Sequence, residues 1–284
     1  MTTTNTAATR PAGRGGKPRV QHTLQVLRKE TLSPHMVRIV AGGPGLANFV
    51  PKDATDMYVK IQFLHPDIEY TEPVDLDALR ETLPREHWPV TRTYTVRWVD
   101  LAAQELAIDF VLHGDSGLAG PWAAAAIPGD SIIFTGPGGA YTPNPDADWY
   151  LFAGDEAALP AIAAAIESLP ATATGHAYLE VDSAADIQPV NKPDGVALTW
   201  LFREGATPAE STVLLDAVAN GPWPEGTVDA FVHGEREYMK ALRDLLFKQR
   251  GLERSQVSLS GYWAYGRTED NFQAEKREPI GQIL

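Results

Sequence analysis

Apolar and polar residues alternate with a period of two through much of the first half of the chain, and the alternation stops at Gly, Pro or Asp turn signals. Val20 to Lys29, His35 to Ala41, Asp56 to Phe63, Arg92 to Val99, Glu105 to His113 and Asp130 to Thr135 each carry that alternation or a β-branched run. Six short strands with one intervening helix predict a small antiparallel β-barrel. The segment from His65 to Pro89 is rich in Pro, Glu and Asp and sets Leu76, Leu79 and Leu83 at helical spacing. It reads as an insertion across the barrel mouth.

From Trp149 the texture changes. Tyr150 to Ala153 is a short apolar strand that runs through Gly154-Asp155-Glu156 into an alanine-rich helix, Ala157 to Ser168. Strand candidates follow at His176 to Val181, Val196 to Phe202, Val228 to Val232 and Val257 to Ser260, with helices at Ala209 to Ala219 and Glu235 to Arg250 between them. Such alternation predicts a parallel sheet with helices on its faces and ligands beyond the carboxyl ends of its strands. The expected division is a disordered leader over 1–17, a barrel over 18–145 and an α/β domain with a C-terminal tail over 146–284.

Composition narrows the chemistry. The 284 residues, 44% hydrophobic, suffice for two ordinary cores, and no apolar run approaches the roughly 20 residues that span a bilayer. The first 16 residues hold no apolar stretch of signal-peptide type, so a cytoplasmic location without membrane insertion is expected. Absence of cysteine excludes disulfides, thiolate metal sites and iron–sulfur ligation, and the seven histidines are scattered. Redox chemistry would therefore be borrowed from an organic cofactor. A net charge of −13 argues against a nucleic-acid partner, while a local basic pocket stays compatible with it.

Three segments carry candidate chemistry. In Arg92-Thr93-Tyr94-Thr95, alternate residues share a strand face, so Arg92 and Tyr94 project together and Thr95 reaches the other edge. A guanidinium forks onto a pyrophosphate and a phenol ring packs on a flat heterocycle such as an isoalloxazine. Downstream, Asp109-Phe110-Val111-Leu112-His113-Gly114 leads into Gly117-Leu118-Ala119-Gly120-Pro121-Trp122-Ala123, where two glycines and a proline open a helix whose N–H groups suit an anion. A capped glycine turn without ligand is the plain alternative. Gly154-Asp155-Glu156 at a strand-to-helix turn lacks the G-x-G-x-x-G spacing, so a visiting nicotinamide fits better than a tight dinucleotide grip, with a simple helix cap by Asp155 as the other reading. Near the end, Gly261-Tyr262-Trp263-Ala264-Tyr265-Gly266 gathers three aromatics at a strand end, enough to wall a bulky ligand.

These segments occur in an order that resembles the siderophore-interacting protein family, flavin-dependent ferric-siderophore reductases related to ferredoxin reductases. The resemblance runs from about Val20 to Glu278 and includes Gly136-Pro137, Leu159-Pro160 and Gly266-Arg267-Thr268-Glu269-Asp270. It implies an FAD-binding barrel followed by an NAD(P)H-binding domain, with NADH or NADPH as electron donor and a ferric siderophore as substrate. Within that frame Arg92 and Thr93 would hold FAD, Tyr94 would pack on its ring and Thr95 would hydrogen-bond near N5, making Tyr94 and Thr95 the catalytic candidates. Asp109, Val111, His113, Gly117, Ala119, Gly120, Trp122, Ala123, Gly154, Asp155, Glu156, Tyr262 and Trp263 complete the cofactor set. Ferric siderophores are often anionic, and Lys52, Lys60 and Arg267 are the candidate substrate contacts. The chain departs from the family at Gly120, where a serine is usual, at Ala157 for a threonine and at Ala264 for a basic residue. A monomer is expected, a ferredoxin partner stays open, and so do a general flavin or quinone reductase and a non-catalytic flavin or chelate binder.

Overall fold

In the computed structural model, which describes residues 20–114 and 117–284, the period-two strands of the first half close on themselves. The expected leader over 1–17 lies outside the described residues. Strands β1 (Gln21–Ser33), β2 (Met36–Gly42), β3 (Tyr58–Phe63), β4 (Val90–Asp100), β5 (Glu105–Val111) and β6 (Ser131–Gly138) form an antiparallel barrel in the order β1-β2-β5-β4-β3-β6. Alternation decides the faces: Val59, Ile61 and Phe63 of β3 fill the interior beside Ile39, Ile108, Phe110 and Phe134, while Lys60 and Gln62 point the other way.

One seam of this barrel is incomplete. β4 and β5 pair only from Val96↔Ile108 to Asp100↔Glu105, whereas β4 pairs β3 all the way from Val90 to Thr95 and β5 pairs β2 out to Val111. Beyond Val96 the two strands part. Arg92 to Thr95 and Asp109 to Val111 therefore turn unladdered edges towards the same opening.

The insertion does not cross the barrel mouth. Its helix α1 (Leu76–Thr82) is capped by Asp75, whose carboxylate accepts the N–H groups of Asp77 and Ala78. Val74 and Leu76 pack on Ile133, which faces out of the barrel between the inward Ile132 and Phe134, and Gln21 bonds both Val74 and Leu76. Covering that outward apolar residue sets where the insertion lies. After helix α2 (Ala119–Ala125) and β6, the chain enters the second domain.

There β7 (Trp149–Gly154), α3 (Leu159–Glu167), β8 (Gly175–Val181), β9 (Val196–Phe202), α4 (Val213–Asn220), β10 (Val228–Glu235), α5 (Arg236–Asp244) and β11 (Val257–Trp263) build a parallel five-stranded sheet. Its order, β11-β10-β7-β8-β9, places the reversal of winding between β7 and β10. Phe152, Leu179 and Phe231 face α3, and Leu151, Ala153, Ala230 and Val232 face α4 and α5. α3 is packed on both sides, against the sheet and against the barrel strand β4, where Arg97 pairs with Glu167 at 2.7 Å. Its small Ala161, Ala163 and Ala165 let both layers approach. Two helix starts differ from the sequence expectation: Asp155 ties down Ala157 and Ala158 so that α3 begins at Leu159, and a turn closed by Thr207 and Glu210 delays α4 to Val213. The C-terminal residues form α6 (Glu269–Glu275) and a 3-10 turn, anchored by the buried Phe272 and by Arg243 on the Ile283 carbonyl.

Phe110 is fully buried, contacts Tyr94 at a ring-centroid distance of 4.4 Å and Trp122 at 5.6 Å, and so supports the parted seam from inside. Phe110→Ala is expected to cost about 3–5 kcal/mol in urea unfolding; a loss below about 1 kcal/mol would contradict this packing role.

Candidate functional site

The parted seam and the carboxyl ends of the parallel strands open into one cavity of about 1270 Å³. That exceeds the roughly 300–1000 Å³ of a single small-ligand pocket and suits two ligands that meet. On the barrel side it is lined by Arg92, Thr93, Tyr94, Thr95, Asp109, Val111 and His113, continued by Gly117, Leu118, Ala119 and Gly120. On the sheet side come Glu156, His233, Tyr262 and Trp263; Lys60, Arg267 and Lys276 also line the cavity, together with Glu269, and Arg267 is ion-paired with Glu275 at 2.6 Å.

Each barrel residue is placed by a specific constraint. The register sets Arg92 and Tyr94 opposite Ile61 and Val59, and Thr93 and Thr95 opposite Lys60 and Tyr58, so the four residues present both strand faces. Tyr94 leans on Phe110, and burial raises the pKa of its phenol, keeping it protonated. Thr95 is nearly buried and is the side-chain hydrogen-bonding neighbour of the Tyr262 phenol, itself held protonated by burial. Arg92 faces Asp270 at 3.3 Å, an exposed carboxylate on α6. Asp109 is gripped by Arg38 in a two-pronged ion pair of 2.6 and 2.9 Å, which fixes the β5 edge while leaving its carboxylate engaged. Gly117 has a φ of +84°, in the region that favours glycine, and a Cβ at Gly120 would come within 3.3 Å of the Val111 carbonyl.

On the sheet side the turn after β7 is organised by Asp155. Its carboxylate accepts N–H groups from Ala157 at 3.0 Å, Ala158 at 3.3 Å and Glu235 at 2.8 Å, and the Trp263 indole N–H at 2.8 Å. One side chain thus joins the ends of β7, β10 and β11 to the start of α3. The strands must close tightly for this: a Cβ on Gly154 would lie 2.4 Å from the His233 carbonyl, and one on Gly234 2.8 Å from Asp155. Burial, and secondarily the charge of Glu156, push the Asp155 carboxyl up to about 7 despite these donors. Glu235 extends the join by accepting from Glu237, Tyr238 and Tyr265.

Several residues singled out from sequence stand apart from the cavity wall. Trp122 turns into the barrel, against Phe63 and Phe110, and Ala123 is fully buried behind it. Gly154 and Asp155 lie beneath the wall rather than on it. Lys52 donates to the Gly139 carbonyl, away from Lys60 and Arg267. Sequence reasoning missed His233, whose ring stacks on Phe231 at 3.8 Å and is kept neutral, its pKa pushed down to about 3 by burial. It also missed Lys276, whose proximity to Lys60 rests on the position of α6; a lysine beside acidic neighbours in a tail carries no signal of that kind.

The residues present fit a flavin. Two unladdered strand edges, a glycine-lined helix start, an arginine and a phenol ring share one wall of the cavity. A model of the siderophore-interacting FAD-binding domain matches residues 25–141, and one of the siderophore-interacting protein matches residues 147–266. An uncharacterized protein of Mycobacterium tuberculosis is 44% identical over 269 residues, covering 90% of this chain and 95% of its own. The ferric vibriobactin reductase ViuB of Vibrio cholerae is 33% identical over 256 residues, covering 89% and 93%. The crystal structure of the siderophore-interacting protein SipS from Aeromonas hydrophila superposes with a TM-score of 0.80 at 30% identity, covering 93% of this chain and 99% of that one. The chain belongs to the siderophore-interacting protein family.

The raised Asp155 pKa has a definite sign. Between the unfolded carboxylate value near 4 and the folded value of about 7, the folded chain holds the extra proton, so this residue's contribution to stability falls as pH rises through that window and is flat above it. The stability of the parent relative to Asp155→Asn is expected to be greater at pH 5 than at pH 8 in matched urea melts. A gap that widens towards alkaline pH would mean that the four N–H donors outweigh burial.

Proposed function

We propose that this chain is a cytoplasmic ferric-siderophore reductase, which binds FAD at the parted β4–β5 seam and takes electrons from NADH or NADPH at the sheet side of the cavity. It would pass them to the Fe(III) of a siderophore and release Fe(II), for which oxygen ligands have less affinity. The single observation that carries this reading is that the seam edges and the strand ends of the second domain line one continuous cavity. Relatedness to a ferric vibriobactin reductase across nearly the whole chain supports the choice of substrate. The division into an FAD-binding domain over 18–145 and a nicotinamide-binding domain over 146–284 belongs to the same proposal.

A nicotinamide gives two electrons as hydride while Fe(III) accepts one, and bound FAD supplies the chemistry that connects the two. The protein's share is binding, orientation and charge. Arg92 would exchange its exposed partner Asp270 for the diphosphate, since an exposed ion pair is worth little. The N–H groups from Gly117 to Gly120 offer the diphosphate a second arm. Tyr94, braced by Phe110, would pack on the flavin ring, and the Thr95 hydroxyl would donate near N5. Neutral His233 and Tyr262 would wall the nicotinamide side without adding charge. Lys60 and Lys276, beside Arg267 and its partner Glu275, would give the anionic chelate cationic contacts in an otherwise acidic protein. Lys52 donates to the Gly139 carbonyl and does not line this cavity.

The test is anaerobic. Purified protein loaded with FAD should lose its flavin absorbance on addition of NADH or NADPH and regain it on addition of a ferric hydroxamate or catecholate siderophore, with ferrous iron captured by a chromogenic trap. Flavin that no nicotinamide reduces would remove the donor half of the proposal, and reduced flavin that no ferric siderophore reoxidises would remove the substrate half. Arg92→Ala is expected to weaken FAD binding roughly 10- to 100-fold, the worth of a lost charged hydrogen bond, in a fluorescence titration. Unchanged affinity would sever Arg92 from the cofactor.

A further inference from the structure

We infer that the chelate is a ferric hydroxamate of low charge, and that its organic scaffold seats in a second cavity on the outer face of the barrel; the inference rests on the reductase function proposed above. FAD and the nicotinamide would occupy the cavity of about 1270 Å³, so a third ligand needs space of its own. A neighbouring cavity of about 550 Å³ supplies it, within the roughly 300–1000 Å³ of small-ligand sites, and shares Lys60, Thr93, Glu269 and Gln273 with the first. Its floor is the outward face of the barrel, where Gln62, Thr91 and Thr135 stand with Lys60 and Thr93. Its walls are Asp77 and Arg80 of α1 and Glu269 and Asp270 of α6. The insertion, which leaves the barrel mouth uncrossed, thus becomes one wall of a site.

Charge and surface select the same ligand. Arg80 lies 3.3 Å from Asp77, Arg267 lies 2.6 Å from Glu275, and Lys276 is within electrostatic reach of both Lys60 and Glu269. Asp270 holds Arg92 at 3.3 Å, and once a diphosphate takes that guanidinium, Asp270 stays behind as an acid on the cavity wall. Lys60, Arg80 and Lys276 then face Asp77, Glu269 and Asp270, as many acids as cations. Three hydroxamates cancel the charge of Fe(III), whereas three catecholates leave about three negative charges over, which such a wall cannot neutralise. The cationic contacts of Lys60 and Lys276 therefore serve a chelate that is at most weakly anionic. Hydroxyl and amide side chains, among them Thr91, Thr93, Thr135 and Gln273, offer hydrogen bonds to hydroxamate and amide groups. Among the described residues no aromatic side chain lines this cavity, so catechol rings would find nothing there to stack on.

Gallium(III) has the charge of Fe(III) and is not reduced, so its complexes separate binding from electron transfer. Calorimetric titration of the FAD-loaded protein with gallium desferrioxamine E, a tris-hydroxamate, and gallium enterobactin, a tris-catecholate, should show the hydroxamate bound at least about tenfold more tightly. Asp77→Asn combined with Glu269→Gln should narrow that ratio by roughly tenfold, chiefly by improving the catecholate. A fluorescence titration with FAD confirms that the variant is folded. If the double variant fails to hold FAD, Asp77→Asn alone carries the test, because Asp77 is 80% exposed and lines only the second cavity. A catecholate bound as tightly as the hydroxamate by the parent would overturn the inference, and so would a ratio that the substitutions leave in place. Failure of both gallium complexes to bind, with failure of both ferric complexes to reoxidise the reduced flavin, would instead overturn the reductase function on which the inference rests.

Discussion

The buried carboxylate of Asp155 is the constraint on which the geometry of the second domain depends. Four N–H groups from three places in the sequence, the adjacent Ala157 and Ala158, Glu235 and the Trp263 indole, converge on it. Without that acceptor the N–H groups of Ala157, Glu235 and the Trp263 indole would lose their side-chain partner, whereas Ala158 keeps the Asp155 carbonyl at 3.0 Å, and a buried donor without a partner costs about 1–3 kcal/mol. Because these donors belong to the start of α3 and the ends of β10 and β11, satisfying them fixes the three elements relative to β7. The cavity's sheet side is thereby built before any ligand enters.

The barrel side follows a complementary logic. A fully laddered barrel has no backbone edge to offer, and this one gains an edge by letting β4 and β5 separate beyond Val96 and Ile108. Phe110 and the Arg38–Asp109 ion pair keep the separated strands from collapsing or fraying. The two domains are then held in register by contacts across their boundary: Arg97 with Glu167, His35 with Asp186, Tyr141 with Asp229 at 2.9 Å, and Arg92 with Asp270. Three of these use side chains at least partly withdrawn from solvent. The fourth, Arg92 with the exposed Asp270, is the one best suited to exchange when a ligand arrives.

Much of this was legible in the sequence because it is local. Period-two alternation gives the barrel strands and their faces, and the alternation of strands with helices gives the parallel sheet. Arg92, Thr93, Tyr94 and Thr95 were readable as a group because neighbouring residues on one strand stay neighbours in space. Asp155 was readable as a helix cap, but its further ties to Glu235 and Trp263 span 80 and 108 residues, and local spacing says nothing of them. Trp122 misled for a related reason: its place beside a glycine-rich helix start suggests a ligand, yet the helix turns the indole onto Phe63 and Phe110. Lys276 was hidden because its position depends on α6, which meets the barrel through the pair of Arg92 and Asp270, 178 residues apart.

The central claim is that one cavity, walled by the parted seam and by the strand ends, brings two cofactors face to face. Its most direct test is a crystal structure of the FAD complex. The account predicts the isoalloxazine in the opening between β4 and β5, beside Tyr94 and Thr95, with its free face turned towards Tyr262 and His233. Flavin bound on any other surface, or a β4–β5 seam that zips shut around it, would contradict the account.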